Sequence, residues 1–234
     1  RPLSDFDVAT GAVVADNMEE IINLDNVTCV QPVKDYNWNG EPYEFAVDSD
    51  QTIYVKGYST PLLKYTLSGG TYTCDSSNDL LSLTSTYQAW VEIDDRGTPD
   101  NISDDLLYVG DQQDLFIISV ADNSHYISYN FSANGMSNMS NYGSSIDGSG
   151  NFYGNSAGDG VWKFNAVARP AVPTAADIDT HTWSVQSIGS VASAENVGAS
   201  FTGQVFSANN SDIVNVADGS ILIDSSAIGV NSFW

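Results

Sequence analysis

The chain has 234 residues, with 30 acidic side chains against 7 basic ones and a net charge of −23. A field this negative repels phosphate backbones, which excludes sequence-independent nucleic-acid binding. No apolar run approaches the roughly 20 residues of a membrane-spanning helix. At 42% hydrophobic and 11% aromatic residues, the chain is also too apolar for a disordered acidic tail. It reads as a folded all-β chain, a single domain over 1–234.

Only 16% of residues are charged, and polarity comes from 30 Ser, 20 Asn and 14 Thr. Surfaces of hydroxyls, amides and aspartate are common outside the cell. Basic residues vanish from 97 to 162 and again from 170 to 234, so the carboxylates there need water, cations or a basic partner. The chain opens at Arg1-Pro2 with no initiator Met, basic region or apolar region, which points to a removed leader and an extracellular or cell-surface location.

The first predicted element is a hairpin, Phe6–Val14, turning at Thr10-Gly11. Asn17–Leu24 is the one stretch with a helical pattern. Cys29 and Cys74 are the only cysteines; an even count in a chain of this character favours a disulfide, and its loop would stabilise the fold by about 4 kcal/mol in the chain-entropy model. The segment Asp35–Tyr43 mixes Tyr36, Trp38 and Tyr43 with amides and carboxylates. Such surfaces suit sugars, since rings cover C–H faces and polar groups satisfy hydroxyls.

From residue 46 onward two elements alternate. One is an acidic turn followed by a strand centred on an aromatic residue: Ala46–Val55 around Tyr54, Val91–Gly110 around Tyr108 with an insertion, Ser145–Gly154 around Tyr153, and a weaker copy, Ala199–Phe206. The other is a hairpin turning at Gly, Asp or Asn: Tyr65–Thr73, Ile118–Ile127 and Val214–Leu222, with a degenerate copy after Trp162-Lys163-Phe164 that Pro170 and Pro173 interrupt. Gly and Asn supply the positive φ that tight hairpins need. Trp90 and Trp162 lie in strands and are expected in the core. A last strand, Ala227–Trp234, is left over.

The aromatic positions 54, 108, 153 and 206 are 54, 45 and 53 residues apart. Such a period with about four strands per unit is the pattern of a β-propeller blade. The chain resembles the β-propeller superfamily, most closely the loosely repeated blades of secreted microbial and aquatic proteins, in which an aspartate turn, an aromatic strand and a hairpin succeed one another. The resemblance implies an all-β, five-bladed, propeller-like single domain of about 47 residues per blade, its four aromatic strands lying innermost. A β-sandwich or jelly roll with an exchanged terminal strand is the alternative. Residues 1–14 either close the ring or pair with a neighbouring subunit.

No G-x-S-x-G elbow and no zinc-type His/Cys spacing occurs, and no catalytic residue is assigned. His125 and His181 are expected at the surface. Aspartates either cap the turns or bind Ca²⁺. The candidate Ca²⁺ ligands are Asp94, Asp95, Asp100, Asp104 and Asp105 in the densest acidic loop, and Asp147, Ser149 and Asn151 at alternate positions. Asp48, Asp94 and Asp147 occupy equivalent repeat positions and could face a central funnel. Sequons stand at Asn26, Asn101, Asn130, Asn138 and Asn209, about as many as chance gives.

The expected function is that of a non-enzymatic extracellular structural protein. It would be the subunit of a pilus-like filament, surface fibre or surface layer, built by exchange of terminal strands with copies of itself. The alternatives are a lectin-like carbohydrate-binding propeller and a propeller glycosidase.

Overall fold

The computed structural model describes residues 42–57, 62–75, 90–122, 126–137, 143–156, 160–167, 175–189, 196–209, 212–224 and 227. They form four antiparallel four-stranded sheets in chain order. Blade 1 is β1 (Pro42–Val47), β2 (Ile53–Gly57), β3 (Leu63–Ser68) and β4 (Thr71–Cys74). Blade 2 is β5 (Trp90–Asp94), β6 (Leu106–Gly110), β7 (Asp114–Ser119) and β8 (Tyr126–Asn130). Blade 3 is β9 (Ser145–Ile146), β10 (Phe152–Ser156), β11 (Gly160–Phe164) and β12 (Val185–Gly189). Blade 4 is β13 (Asn196–Ala199), β14 (Val205–Asn209), β15 (Asp212–Asn215) and β16 (Ile221–Asp224). The first strands touch in series, β1 on β5, β5 on β9 and β9 on β13. This is a propeller arrangement.

Two expectations need correction. The described residues build four blades, not five. The four blades with their connections run from Pro42 to Asp224, close to the expected length apiece, and the remaining share of the length, residues 1–41, lies outside the described residues. The hairpin at 6–14, offered as a ring-closing or exchanged element, lies outside the described residues, as does the spare strand beyond Ala227. The aromatic strands are also not innermost. Tyr54, Tyr108, Tyr153 and Phe206 all sit in the second strand of their blades. The first strands, which gather at the centre, run from two to six residues and are mixed in polarity.

Each acidic turn joins strand one to strand two, and its chemistry repeats. Asp48 Oδ1 accepts the Asp50 and Thr52 amides at 2.9 and 2.8 Å, and Tyr54 donates its hydroxyl to Oδ2 at 3.2 Å. Asp147 is held likewise by the amides of Ser149 and Asn151 and by the Tyr153 hydroxyl at 2.8 Å. In blade 4 Ser200 takes the place of the aspartate and accepts the Gln204 amide, while Phe206 has no hydroxyl to give. Three residues after the capping residue the backbone is left-handed in every blade: Gln51, Gly97, Gly150 and Gly203 have φ of 63°, 79°, 80° and 82°. Only Gln51 adopts it against a Cβ penalty.

Blade 2 is covered on both sides, which is why β6 and β7 read as unbroken apolar runs rather than alternating ones. Leu106, Tyr108, Leu115 and Ile117 pack towards blade 3 with Trp90, Phe131, Phe152 and Phe164. Leu107, Val109, Phe116 and Ile118 pack towards blade 1 with Ala46, Tyr54 and Leu62. Tyr108 and Phe152 stack at 5.7 Å with planes 4° apart. Trp90 is core as expected, lying on Gly110, where a Cβ would strike its ring; Trp162 is partly buried. A smaller cluster, Tyr153, Val161, Val197, Val205 and Val216, joins blades 3 and 4. One short helix, α1 (Ala175–Asp179), interrupts the β11–β12 link and seats Ile178 in the core between blades 2 and 3. No helix among the described residues is long and apolar enough to cross a membrane.

The repeat yields a stability test. Gln51→Gly is expected to raise the unfolding free energy by up to about 1 kcal/mol, and Gly150→Ala to lower it by about 1 kcal/mol. Denaturant unfolding of the two variants beside wild type measures both.

Candidate functional site at the junction of the first strands

β1 carries a glutamate in the middle of an apolar run, and strand alternation turns it to the same side as Ala46, towards blade 2. The Glu44 carboxylate accepts the Val91 amide of β5 at 2.8 Å, and the amide and hydroxyl of Ser144, just before β9, at 2.9 and 3.1 Å. One side chain thus joins three blades. Glu92 of β5 approaches the same Ser144 hydroxyl at 3.4 Å. A hydroxyl has one proton to give. It can satisfy both carboxyl groups at once only when one of them is itself a donor. Glu44, which takes two amide N–H groups, is the natural anion, and Glu92 the natural acid.

Electrostatics agree. Burial pushes Glu44 up to about 7 despite its three hydrogen bonds. Burial, and then the charge of Glu44, push Glu92 up to about 8. Lys56, opposite Glu44 across the β1–β2 ladder, is fully buried; burial pushes its ammonium down to about 8, against the opposing pull of Asp111.

Glu92 also lines a cavity of about 340 Å³ with Asp94, Asp95, Asp147 and Phe201. A raised acid and a carboxylate held low in one cavity is the separation that general acid/base chemistry uses. Burial works to raise Asp147, but the hydrogen bonds from Asn151, Tyr153 and Ser149 outweigh it and hold it below its usual range. Those same bonds, five in all, occupy both its oxygens, so its lone pairs already have partners.

The candidate Ca²⁺ ligands are mostly engaged within their own turns. Asp94 accepts the Arg96 amide and Asp95 the Gly97 amide. Asp104 accepts the Thr98 hydroxyl at 2.7 Å. Asp105 reaches back to blade 1 and accepts the Ser49 amide and hydroxyl at 2.8 and 3.0 Å. Asp100 is exposed. Ser149 offers its amide to Asp147, and Asn151 donates its side-chain nitrogen there while its Oδ1 accepts the Ala166 amide. Among the described residues no group of three or more His, Cys, Asp or Glu is placed to hold a metal ion.

Of the sugar-binding candidates, Tyr43 lies in β1, while Tyr36 and Trp38 lie outside the described residues. Cys74 ends β4 as a bonded cysteine; Cys29 lies outside the described residues, and their pairing is a proposal. Asn26 and Asn138 also lie outside them, and Asn209 is in β14. Asn101 caps the turn at Ile102–Asp104 through Oδ1. Asn130 gives its side-chain nitrogen to Asp114 at 3.0 Å. His125 lies outside the described residues. His181, expected at the surface, is half-buried with its ring 4.9 Å from that of Trp183.

Glu44, Glu92 and Ser144 escaped the sequence reading. Their signal was a lone Glu inside each of two apolar strand-like runs, Pro42–Val47 and Trp90–Asp94.

No family model and no curated protein matches the chain. Solved structures do match it. A structure of U3-55K superposes on 81% of this chain with a TM-score of 0.50 and 12% identity. The chain spans about half of that structure, 53% of its length. At this identity the likeness shows the fold alone, and the fold is that of a β-propeller.

The axial acids set a pH dependence. A carboxyl raised in the folded state favours folding while protonated, so its contribution is full below about 4.5 and is lost as pH rises towards about 8. The thermal midpoint of the wild type is expected to fall by several degrees between about pH 5 and about pH 9. Glu92→Gln, which donates to Ser144 without titrating, is expected to fall less. Thermal melts of both chains across that range measure the difference.

Proposed function

We propose that the chain is a non-enzymatic extracellular structural protein, a self-associating subunit of a surface fibre, pilus-like filament or surface layer. The observation that carries this reading is the apolar character of the two ends of the blade series. On blade 1, Phe45 and Val47 of β1 are 69% and 46% exposed on the face turned away from blade 2. On blade 4, the outer strand β16 leaves Ile221, Leu222 and Ile223 57%, 49% and 39% exposed. The outer strands of the other blades carry Thr, Tyr, Ser and Gln among their exposed residues instead. On the same blade, Phe206, Ala208 and Ile213 of β14 and β15 line a groove of about 280 Å³.

Two different patches that fit one another give a head-to-tail contact, which propagates into a fibre when the rotation does not close. An apolar edge strand is also a template for pairing with another chain, and exchange of residues 1–14 would supply such a strand. With 23 net negative charges per copy, association has to rest on uncharged strips and strengthens as salt screens the repulsion. The extracellular setting is supported by the Ser, Asn and Thr content and by the repeat-level likeness to secreted blades.

Light scattering of the full-length chain tests the proposal. Wild type is expected to grow in particle size with concentration and with salt, and Phe45→Asp or Ile221→Asp, both at exposed positions, to hold it at the monomer. A wild-type chain that stays monomeric throughout would sink the reading.

A further inference from the structure

A cleft of about 410 Å³ opens between blades 3 and 4. Val205 and the buried ring of Tyr153 supply its apolar wall, and Lys163, Gln186, Gln204 and Asn215 bring nitrogen-bearing side chains to it. Among the described residues no carboxylate lines it, although acids outnumber bases 30 to 7 in the chain.

Lys163 is the only basic residue between Arg96 and Arg169. Its ammonium lies 5.8 Å from the Tyr153 ring centroid, and among the described residues it has no ion pair. Asp147, the acid nearest in the repeat, is turned into its own cap and takes the Tyr153 hydroxyl. The side-chain amides of Gln186 and Gln204 make no hydrogen bond among the described residues. Asn215 accepts the Ala217 amide at Oδ1, which leaves its nitrogen available. In a chain this acidic, one cation and two amides that face a cleft lined by no described carboxylate make no hydrogen bond or ion pair within the described fold, and the third amide, Asn215, is engaged only through its oxygen. The set matches a ligand with one negative charge and several hydroxyls, because an ammonium pairs with a carboxylate and amides both donate to and accept from hydroxyls. The volume lies in the range of small-ligand sites.

We propose that the cleft between blades 3 and 4 binds a saccharide unit bearing a carboxylate, a uronic acid or its chemical equivalent. Lys163 holds the carboxylate, Gln186, Gln204 and Asn215 take ring hydroxyls, and Val205 lies against a C–H face. The proposal stands apart from the assembly reading and needs only the monomer. A purely structural role for Lys163 has a counterpart within the molecule: Lys64 stands 6.0 Å from the Tyr54 ring at the same place in blade 1.

The test is an NMR titration of the full-length chain with glucuronate, glucose and acetate. Glucuronate is expected to bind in the millimolar range, shifting resonances of Lys163, Gln204 and Asn215, and more tightly than glucose or acetate. Lys163→Gln is expected to weaken it by about tenfold or more, and Lys64→Gln to leave it unchanged. Equal binding of glucose would remove the role of the ammonium, and equal binding of acetate would remove the saccharide. Absence of glucuronate binding, or loss on Lys64→Gln as great as on Lys163→Gln, would overturn the proposal. Shift mapping on wild type alone decides the location should Lys163→Gln fail to fold, since shifts centred elsewhere also overturn it.

Discussion

The Glu44 carboxylate belongs to blade 1, accepts a hydrogen bond from the Val91 amide of blade 2, and accepts two from Ser144 at the start of blade 3, one from its amide and one from its hydroxyl. Side chains that reach across 100 residues to a backbone amide fix where strands lie, and here they bring three first strands to one centre. The hydrophobic clusters between blades follow from that placement. Once β1, β5 and β9 converge, the second and third strands of blade 2 have a sheet on either side, and Tyr108 can stack on Phe152 while Val109 faces blade 1. Burying a carboxylate is costly unless its lone pairs are met. Glu44 meets them with two amides and a hydroxyl, and its companion Glu92 meets the condition by holding a proton near neutrality.

Acidity in this chain therefore plays several distinct parts. Asp48 and Asp147 are turn caps whose oxygens are consumed by amides and a tyrosine hydroxyl, and Asp105 is a cross-blade tie to Ser49. Glu44 and Glu92 form an axial pair that meets at the Ser144 hydroxyl. Lys163 stands outside these uses: it makes no ion pair among the described residues, and none of the described carboxylates lines its cleft. The same net charge of −23 bears on assembly, since it confines contact between copies to uncharged strips such as those of β1 and β16.

The blade architecture was legible because its signal is repetition. Asp48 to Tyr54 and Asp147 to Tyr153 have the same spacing and the same bond, and the glycine three residues after the cap recurs at 97, 150 and 203. The number of blades was not legible from length, because dividing the whole chain evenly assigns a blade to residues 1–41 as well, while the four described blades begin at Pro42. The helix α1 had a local signal in Thr174-Ala-Ala-Asp177, a capping-box pattern, hidden among prolines that argued for irregular chain. The axial site was illegible for a different reason. Glu44, Glu92 and Ser144 stand at no common offset from their turns, so a search by repeat passes over them. Only the convergence of strands from three blades makes them one site.

The central claim is that the Glu44 carboxyl group, through its bonds to Val91 and Ser144, holds the first strands of blades 1, 2 and 3 together. Native-state hydrogen exchange at the Val91 and Ser144 amides reads it most directly, because opening of that junction frees both protons at once. In wild type the two amides are expected to be strongly protected. In Glu44→Gln they are expected to lose protection together, while amides inside β7 such as Phe116 keep theirs. Unchanged protection at Val91 and Ser144 in Glu44→Gln would contradict the account.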